Sequence, residues 1–213
     1  MVWYRVLPWL RIGFGLLAVV AIARQLVVQI QLSFSVVNFF SYFTNLANAY
    51  AAGVLILGGC HSITGREGLR LGEPARVASV AYMAVVGIVF GLLLRNVDLG
   101  SLRPWVNCVL HIVMPCVVVV DWLAAPPRKR LDSLILPRLL IFPVVYLAYV
   151  LVRGSQVGWY PYPFLDPARP GGYPSVIGYA AGIAATFVFV ALMAIAAGNK
   201  LMSRPSRSWV LRR

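Results

Sequence analysis

Six long apolar runs, separated by short polar connections, make up almost the whole chain. They fall at about 8–30, 39–59, 77–95, 104–124, 138–153 and 175–198. A helix needs about 20 apolar residues to cross the hydrocarbon core of a bilayer. The fifth run is the shortest, and its helix is expected to reach back into the 131–137 stretch. Within lipid every backbone N–H and C=O must be paired inside the chain, which leaves helices or a closed barrel. Runs this long and continuous do not suit barrel strands, which alternate over about 10 residues. The pattern predicts an all-α polytopic membrane protein, with six transmembrane helices in one bundle and a single domain over residues 1–213. The first run is too long, and too poorly followed by a cleavage site, for a removed signal peptide.

Composition agrees. Hydrophobic residues are 61% of the chain and charged ones 12%, far from the usage of a soluble domain. The net charge of +13 first suggests nucleic acid, but its placement argues for a membrane. Arg5, Arg66, Arg70, Arg76, Arg128, Lys129, Arg130, Arg138, Lys200, Arg204, Arg207, Arg212 and Arg213 fall on alternate connections and the two ends. The intervening connections carry only Arg95, Arg103, Arg153 and Arg169. Under the positive-inside rule both termini are cytoplasmic. The basic ends then rest on anionic headgroups, and no nucleic-acid partner is expected.

The cysteines Cys60, Cys108 and Cys116 form no Cys-x-x-Cys pair. Neither a disulfide framework nor a zinc site is expected, and no cofactor is implied. Small residues near the start of the last run, with Gly178 and Gly182 as a small-xxx-small pair, allow close helix contact. Within one chain or between two copies, that pattern reads the same. The 154–174 connection holds Gly158-Trp159-Tyr160-Pro161-Tyr162-Pro163-Phe164-Leu165-Asp166. Its prolines and glycines exclude a helix, and its aromatic rings suit the bilayer interface or the mouth of a lipid pocket.

Polar side chains inside the runs carry the candidate chemistry, because an ionisable group in lipid is costly and marks a functional site by default. His111 lies about seven residues, or ~10 Å, into the fourth run; Thr44 lies about five residues into the second, and Arg24 about six from the end of the first. The three are expected in one layer. Asn107 precedes His111 by four residues and Asn48 follows Thr44 by four, so each pair shares a helix face. A threonine hydroxyl becomes a nucleophile when a neutral imidazole takes its proton, and the imidazolium can then protonate a leaving alcohol. Asn45, Asn48 and Asn107 are the available oxyanion donors, and Arg24 offers a cation for a fatty-acid carboxylate. The plainer readings are a Thr44 hydroxyl bonded to the Phe40 carbonyl four residues back and an Arg24 that snorkels to the interface. Asp121 lies ~15 Å along the helix from His111, too far to orient it. It is expected to anchor the opposite interface or pair with Arg128–Arg130.

At these residues the chain resembles a known family. Phe39-Phe40-Ser41-Tyr42-Phe43-Thr44-Asn45, the Trp105…Asn107…His111…Pro115 helix and the Gly158–Asp166 segment look like the androgen-induced, ADTRP-like integral membrane proteins and their bacterial six-helix relatives. The animal members are membrane threonine hydrolases that cleave fatty acid esters of hydroxy fatty acids. The resemblance implies Thr44 as nucleophile, His111 as general base, and a lipid or fatty acyl ester as substrate. Where the animal proteins tend to have a second histidine, this chain has Asn107-Cys108. The residues by themselves leave open a non-catalytic alternative, a small transporter or lipid-binding membrane protein.

Overall fold

The computed structural model describes residues 2–69, 71–97 and 100–203. Arg70, Arg204, Arg207, Arg212 and Arg213, counted above among the basic residues, lie outside them. The described residues form an all-α polytopic membrane protein with six helices long and apolar enough to span a bilayer. They are α1 (Val2–Gln31), α3 (Phe43–Thr64), α4 (Glu73–Val89, continued by a π-helical turn Phe90–Leu94), α5 (Pro104–Ala124), α6 (Leu136–Val157) and α7 (Gly172–Met202). A short helix α2 (Val36–Phe40) precedes α3.

Two boundaries differ from the hydropathy reading in ways that matter. The second span begins at Phe43, not near residue 39, because Ser41 and an extended Tyr42 (φ −79°, ψ 123°) break the chain between α2 and α3. The expected extension of the fifth helix is present as a single 3-10 turn, Ser133–Ile135, ahead of α6. The long connection after α6 is mostly irregular, with one 3-10 turn at Pro163–Leu165.

Small residues let α1 and α3 pack closely and antiparallel. A Cβ on Gly59 would stand 2.7 Å from the Pro8 carbonyl oxygen, and one on Gly15 would stand 3.0 Å from that of Ala52. Close backbone approach of this kind replaces the hydrophobic drive that lipid removes. Phe43, Tyr82, Phe142 and Phe187 bring their rings together at 5.1 to 6.2 Å, with Tyr146 against Phe43, joining α3, α4, α6 and α7. Buried apolar side chains from all six spans form one continuous cluster. Gly178 and Gly182 contribute nothing to it: a Cβ on either would meet no atom within 4 Å.

At the end of the bundle away from Thr44, Asp121 on α5 accepts from Arg11 on α1 at 2.6 and 3.2 Å and lies 3.7 Å from Arg76 on α4. The expected pairing with Arg128–Arg130 is replaced by these two, which rise from neighbouring helices. Arg76 also donates to the Ala125 carbonyl at 2.6 Å and covers the Trp122 ring, whose Nε1 donates to Ala194. The cluster thus ties four helices at one level.

Asp121→Asn removes the anion between two half-buried guanidinium groups and leaves them facing each other. We expect it to lower stability by about 1–3 kcal/mol, read as a lower thermal midpoint of the purified protein in detergent. An unchanged midpoint would show that the cluster does not hold the helices.

Candidate active site

The break at Ser41-Tyr42 places Thr44 in the first turn of α3, so its N–H is one of the donors that a helix start leaves without an intrahelical partner. The side chain of Tyr42, at the cap position, does not cap that start. Tyrosines from elsewhere do so instead. Phe43 N–H donates to the Tyr146 hydroxyl at 3.2 Å, and Tyr146 in turn donates to the Ser41 carbonyl at 2.8 Å. Thr44 N–H donates to the Tyr162 hydroxyl at 3.3 Å. Thr44 is therefore shallower in its helix than hydropathy suggested, and it sits at the positive end of the helix dipole.

The Thr44 hydroxyl does not take the i−4 path to Phe40. Its Oγ1 lies 3.3 Å from His111 Nε2 and 3.5 Å from the Tyr162 oxygen. His111 Nδ1 lies 3.3 Å from the Asn107 main-chain carbonyl, which can only accept, so Nδ1 carries the proton and Nε2 turns its lone pair to Thr44. Phe90, in the π turn that ends α4, stacks on the imidazole at 4.3 Å and 20°. Both groups are buried, Thr44 at 7% and His111 at 9% exposure.

His111 itself lies in a second π turn, Val109–Val113, within α5. Such bulges recur at functional sites because they re-aim a side chain and free a carbonyl. Here Met114 N–H bonds Val109, and Pro115 has no N–H to offer Leu110. Asn48, fully buried on α3, supplies the missing donor: its Nδ2 donates to Leu110 O at 3.1 Å and to Thr44 O at 2.9 Å. One amide thus joins the backbone of the threonine to the backbone beside the histidine.

Of the other sequence candidates, Asn45 lines the same cavity as Thr44 and His111, and Asn107 and Arg24 do not. Asn45 Nδ2 is committed to the Phe39 carbonyl at 2.7 Å, which fixes α2 on α3. The Asn107 side chain lines neither of the cavities that meet Thr44. Arg24 is exposed and does not join Thr44 and His111. One residue on, about 100° around the helix, Gln25 and then Gln29 face the site and hold the 100–103 segment through Ser101 and Arg103.

Two cavities reach Thr44. One, of about 160 Å³, runs between α3, α4, α6 and α7 and is lined by apolar groups such as Val86, Val89, Leu147, Ile183 and Phe187. Its lining includes exposed Val144 and Ala184, so it reaches the apolar perimeter between α6 and α7. The other, of about 440 Å³, mixes polar and apolar walls, is the more polar of the two and lies under the 158–171 loop, bordered by Gln25, Asn38, His111 and Arg169. Thr44, Leu94 and Tyr162 line both.

Tyr162 was not singled out from sequence. It is held by stacking on Phe164 at 5.1 Å and by an edge contact with Tyr42. Burial raises its phenol above the ordinary tyrosine value, so it keeps its proton. The loop that carries it docks on α6 at Gly154, where a Cβ would overlap the Tyr160 ring. Arg153 reinforces this by covering Trp159 and donating to Asn38 at 2.6 Å.

A family model described as FAR-17a/AIG1-like protein matches residues 75–198. The matched stretch includes His111 and Tyr162 and begins after Thr44. No curated protein and no solved structure matches the chain.

Asn48→Leu strips the donor from two buried carbonyls, and we expect a loss of about 1–3 kcal/mol. Pro115→Ala restores an N–H that can reach Leu110. In a double-mutant cycle read by thermal midpoints, the Asn48→Leu loss should therefore be smaller in the Pro115→Ala background. Strict additivity would refute the clamp.

Proposed function

We propose that this chain, which belongs to the FAR-17a/AIG1-like family, is an intramembrane esterase that hydrolyses fatty acyl esters. The observation that carries the reading is the buried Thr44 Oγ1 to His111 Nε2 contact at 3.3 Å, with Nδ1 turned to a carbonyl. That is a nucleophile, a base in its reactive tautomer, and a group that orients the base.

The chemistry follows from these atoms. As Thr44 Oγ1 bonds the ester carbon, its proton passes to His111 Nε2 and the carbonyl π pair moves onto oxygen. Collapse expels the alcohol oxygen, which takes the proton from the imidazolium. Water then attacks acyl-Thr44 with His111 again as base. The second collapse releases the fatty acid and returns the proton to Thr44.

The apolar cavity fits the acyl chain, because beyond the hydroxyls of Thr44, Tyr146 and Tyr162 its walls are apolar and offer no partner to a polar group, and its side opening lets a lipid enter from the bilayer. The polar cavity fits the alcohol portion and the attacking water. With both termini in the cytoplasm by the positive-inside rule, Thr44 faces the outer leaflet, and the substrate arrives from there. Fatty acid esters of hydroxy fatty acids have the matching form, one chain on each side of the ester.

In detergent, wild type should hydrolyse such an ester, and Thr44→Ala and His111→Ala should each lower turnover at least about 10³-fold with the fold retained. A wild type that turns over neither this ester nor simpler acyl esters, and takes no label from a fluorophosphonate probe, would overturn the proposal in favour of a lipid-binding or transport protein.

A further inference from the structure

The sequence candidates for an oxyanion hole are poorly placed: Asn48 donates to two carbonyls, the Asn45 amide is anchored on the Phe39 carbonyl at the wall of the larger cavity, and Asn107 lines neither cavity. The esterase reading nevertheless requires donors where negative charge develops on the carbonyl oxygen. We propose that the Tyr162 hydroxyl and the Thr44 main-chain N–H are those donors, so that the 158–171 loop contributes a catalytic group to a site otherwise built on α3 and α5. This inference rests on the esterase reading and deepens it.

Three observations carry it. Tyr162 stands where the two cavities meet, and Thr44 and Leu94 are the other residues lining both. An ester with its acyl chain in one cavity and its alcohol in the other brings its carbonyl to that junction. The Tyr162 oxygen lies 3.3 Å from Thr44 N and 3.5 Å from Thr44 Oγ1. Two donors 3.3 Å apart can both reach one oxygen at about 2.9 Å, the distance an oxyanion needs.

The hydrogen inventory also fits. Tyr162 accepts from Thr44 N–H, which leaves its own O–H free to donate, while Thr44 Oγ1 directs its proton to His111. When the oxyanion forms, the Tyr162 hydroxyl turns to it, the fixed Thr44 N–H shares it, and no further proton moves. The Thr44 N–H belongs to the first turn of a 22-residue helix, so the helix dipole favours negative charge there.

The test is Tyr162→Phe, which keeps the ring against Tyr42 and Phe164 and removes one oxygen. Turnover number should fall about 10²- to 10³-fold, with KM changed by no more than about threefold because the ground-state carbonyl gains little from the hydroxyl. A long-chain alkyl trifluoromethyl ketone, which forms a hemiketal oxyanion on Thr44, should lose affinity in parallel. The ether analogue of the substrate, which forms none, should bind as to wild type. If wild type is active and Tyr162→Phe keeps its turnover number and its affinity for the ketone, the oxyanion assignment is wrong and the esterase reading stands. If wild type is inactive on every ester, both fall. Should the phenylalanine variant not fold, a fluorotyrosine at 162 keeps ring and hydroxyl; the ketone's affinity must then change with phenol acidity, and no change overturns the assignment.

Discussion

Pro115 denies α5 one backbone hydrogen bond, and the rest of the site is arranged around that loss. In lipid a carbonyl without a donor has no water to turn to. The π turn at Val109–Val113 leaves Leu110 in that position, and Asn48 answers it from the neighbouring helix. The same amide holds the Thr44 carbonyl. The distance between α3 and α5 at this level is thus set by two hydrogen bonds from one buried side chain, and the Thr44–His111 contact lies within that frame. A regular α-helical α5 would leave Asn48 with no carbonyl on α5 to bind and would rotate His111 away from its present direction.

Polar groups concentrate in two layers, and the apolar middle of the bundle separates them. At one end Thr44, His111, Asn48 and the tyrosine hydroxyls are neutral and bond mostly to backbone. At the other, Arg11, Arg76 and Asp121 are charged and bond to one another. Each layer meets the cost of leaving water in its own way, the charged groups by pairing and the neutral ones by hydrogen bonds to backbone. The charged layer fixes helix spacing without competing for the neutral one.

Much of this was legible in the sequence. Apolar runs gave six spans because the lipid constraint acts on every residue of a span, and Thr44 and His111 stood out as rare polar side chains at matching depth. What escaped was local. The helix start at Phe43 depends on tyrosine hydroxyls from α6 and the following loop, which no periodicity reports. Arg24 seemed a partner by depth alone, yet Ala18, Ala21, Gln25 and Val28 form the buried stripe of α1, and that spacing points Gln25 inward and Arg24 out. Asn48 reads as a substrate donor until the missing N–H of Pro115 is counted against Leu110. Tyr162 lies 118 residues from Thr44 on an irregular segment, where aromatic rings read equally well as interface anchors.

An esterase within a membrane must bring water to a bond that arrives in lipid. A single apolar pocket would exclude the water, and a single open vestibule would hydrate the nucleophile and weaken every electrostatic contact to the transition state. Two cavities with a common wall resolve the conflict if the reacting atoms are that wall. Thr44 occupies it, His111 borders the polar side only, and Tyr162 closes it from the loop. On this reading the base meets water from the polar side while the acyl chain stays dry. The 158–171 loop is then more than a cover: undocking it removes the acceptor of Thr44 N–H and opens the wall in the same motion. Assembly of the site and separation of its two solvents are one event, which places the contact of Tyr160 on Gly154 among the determinants of catalysis, although it touches no reacting atom.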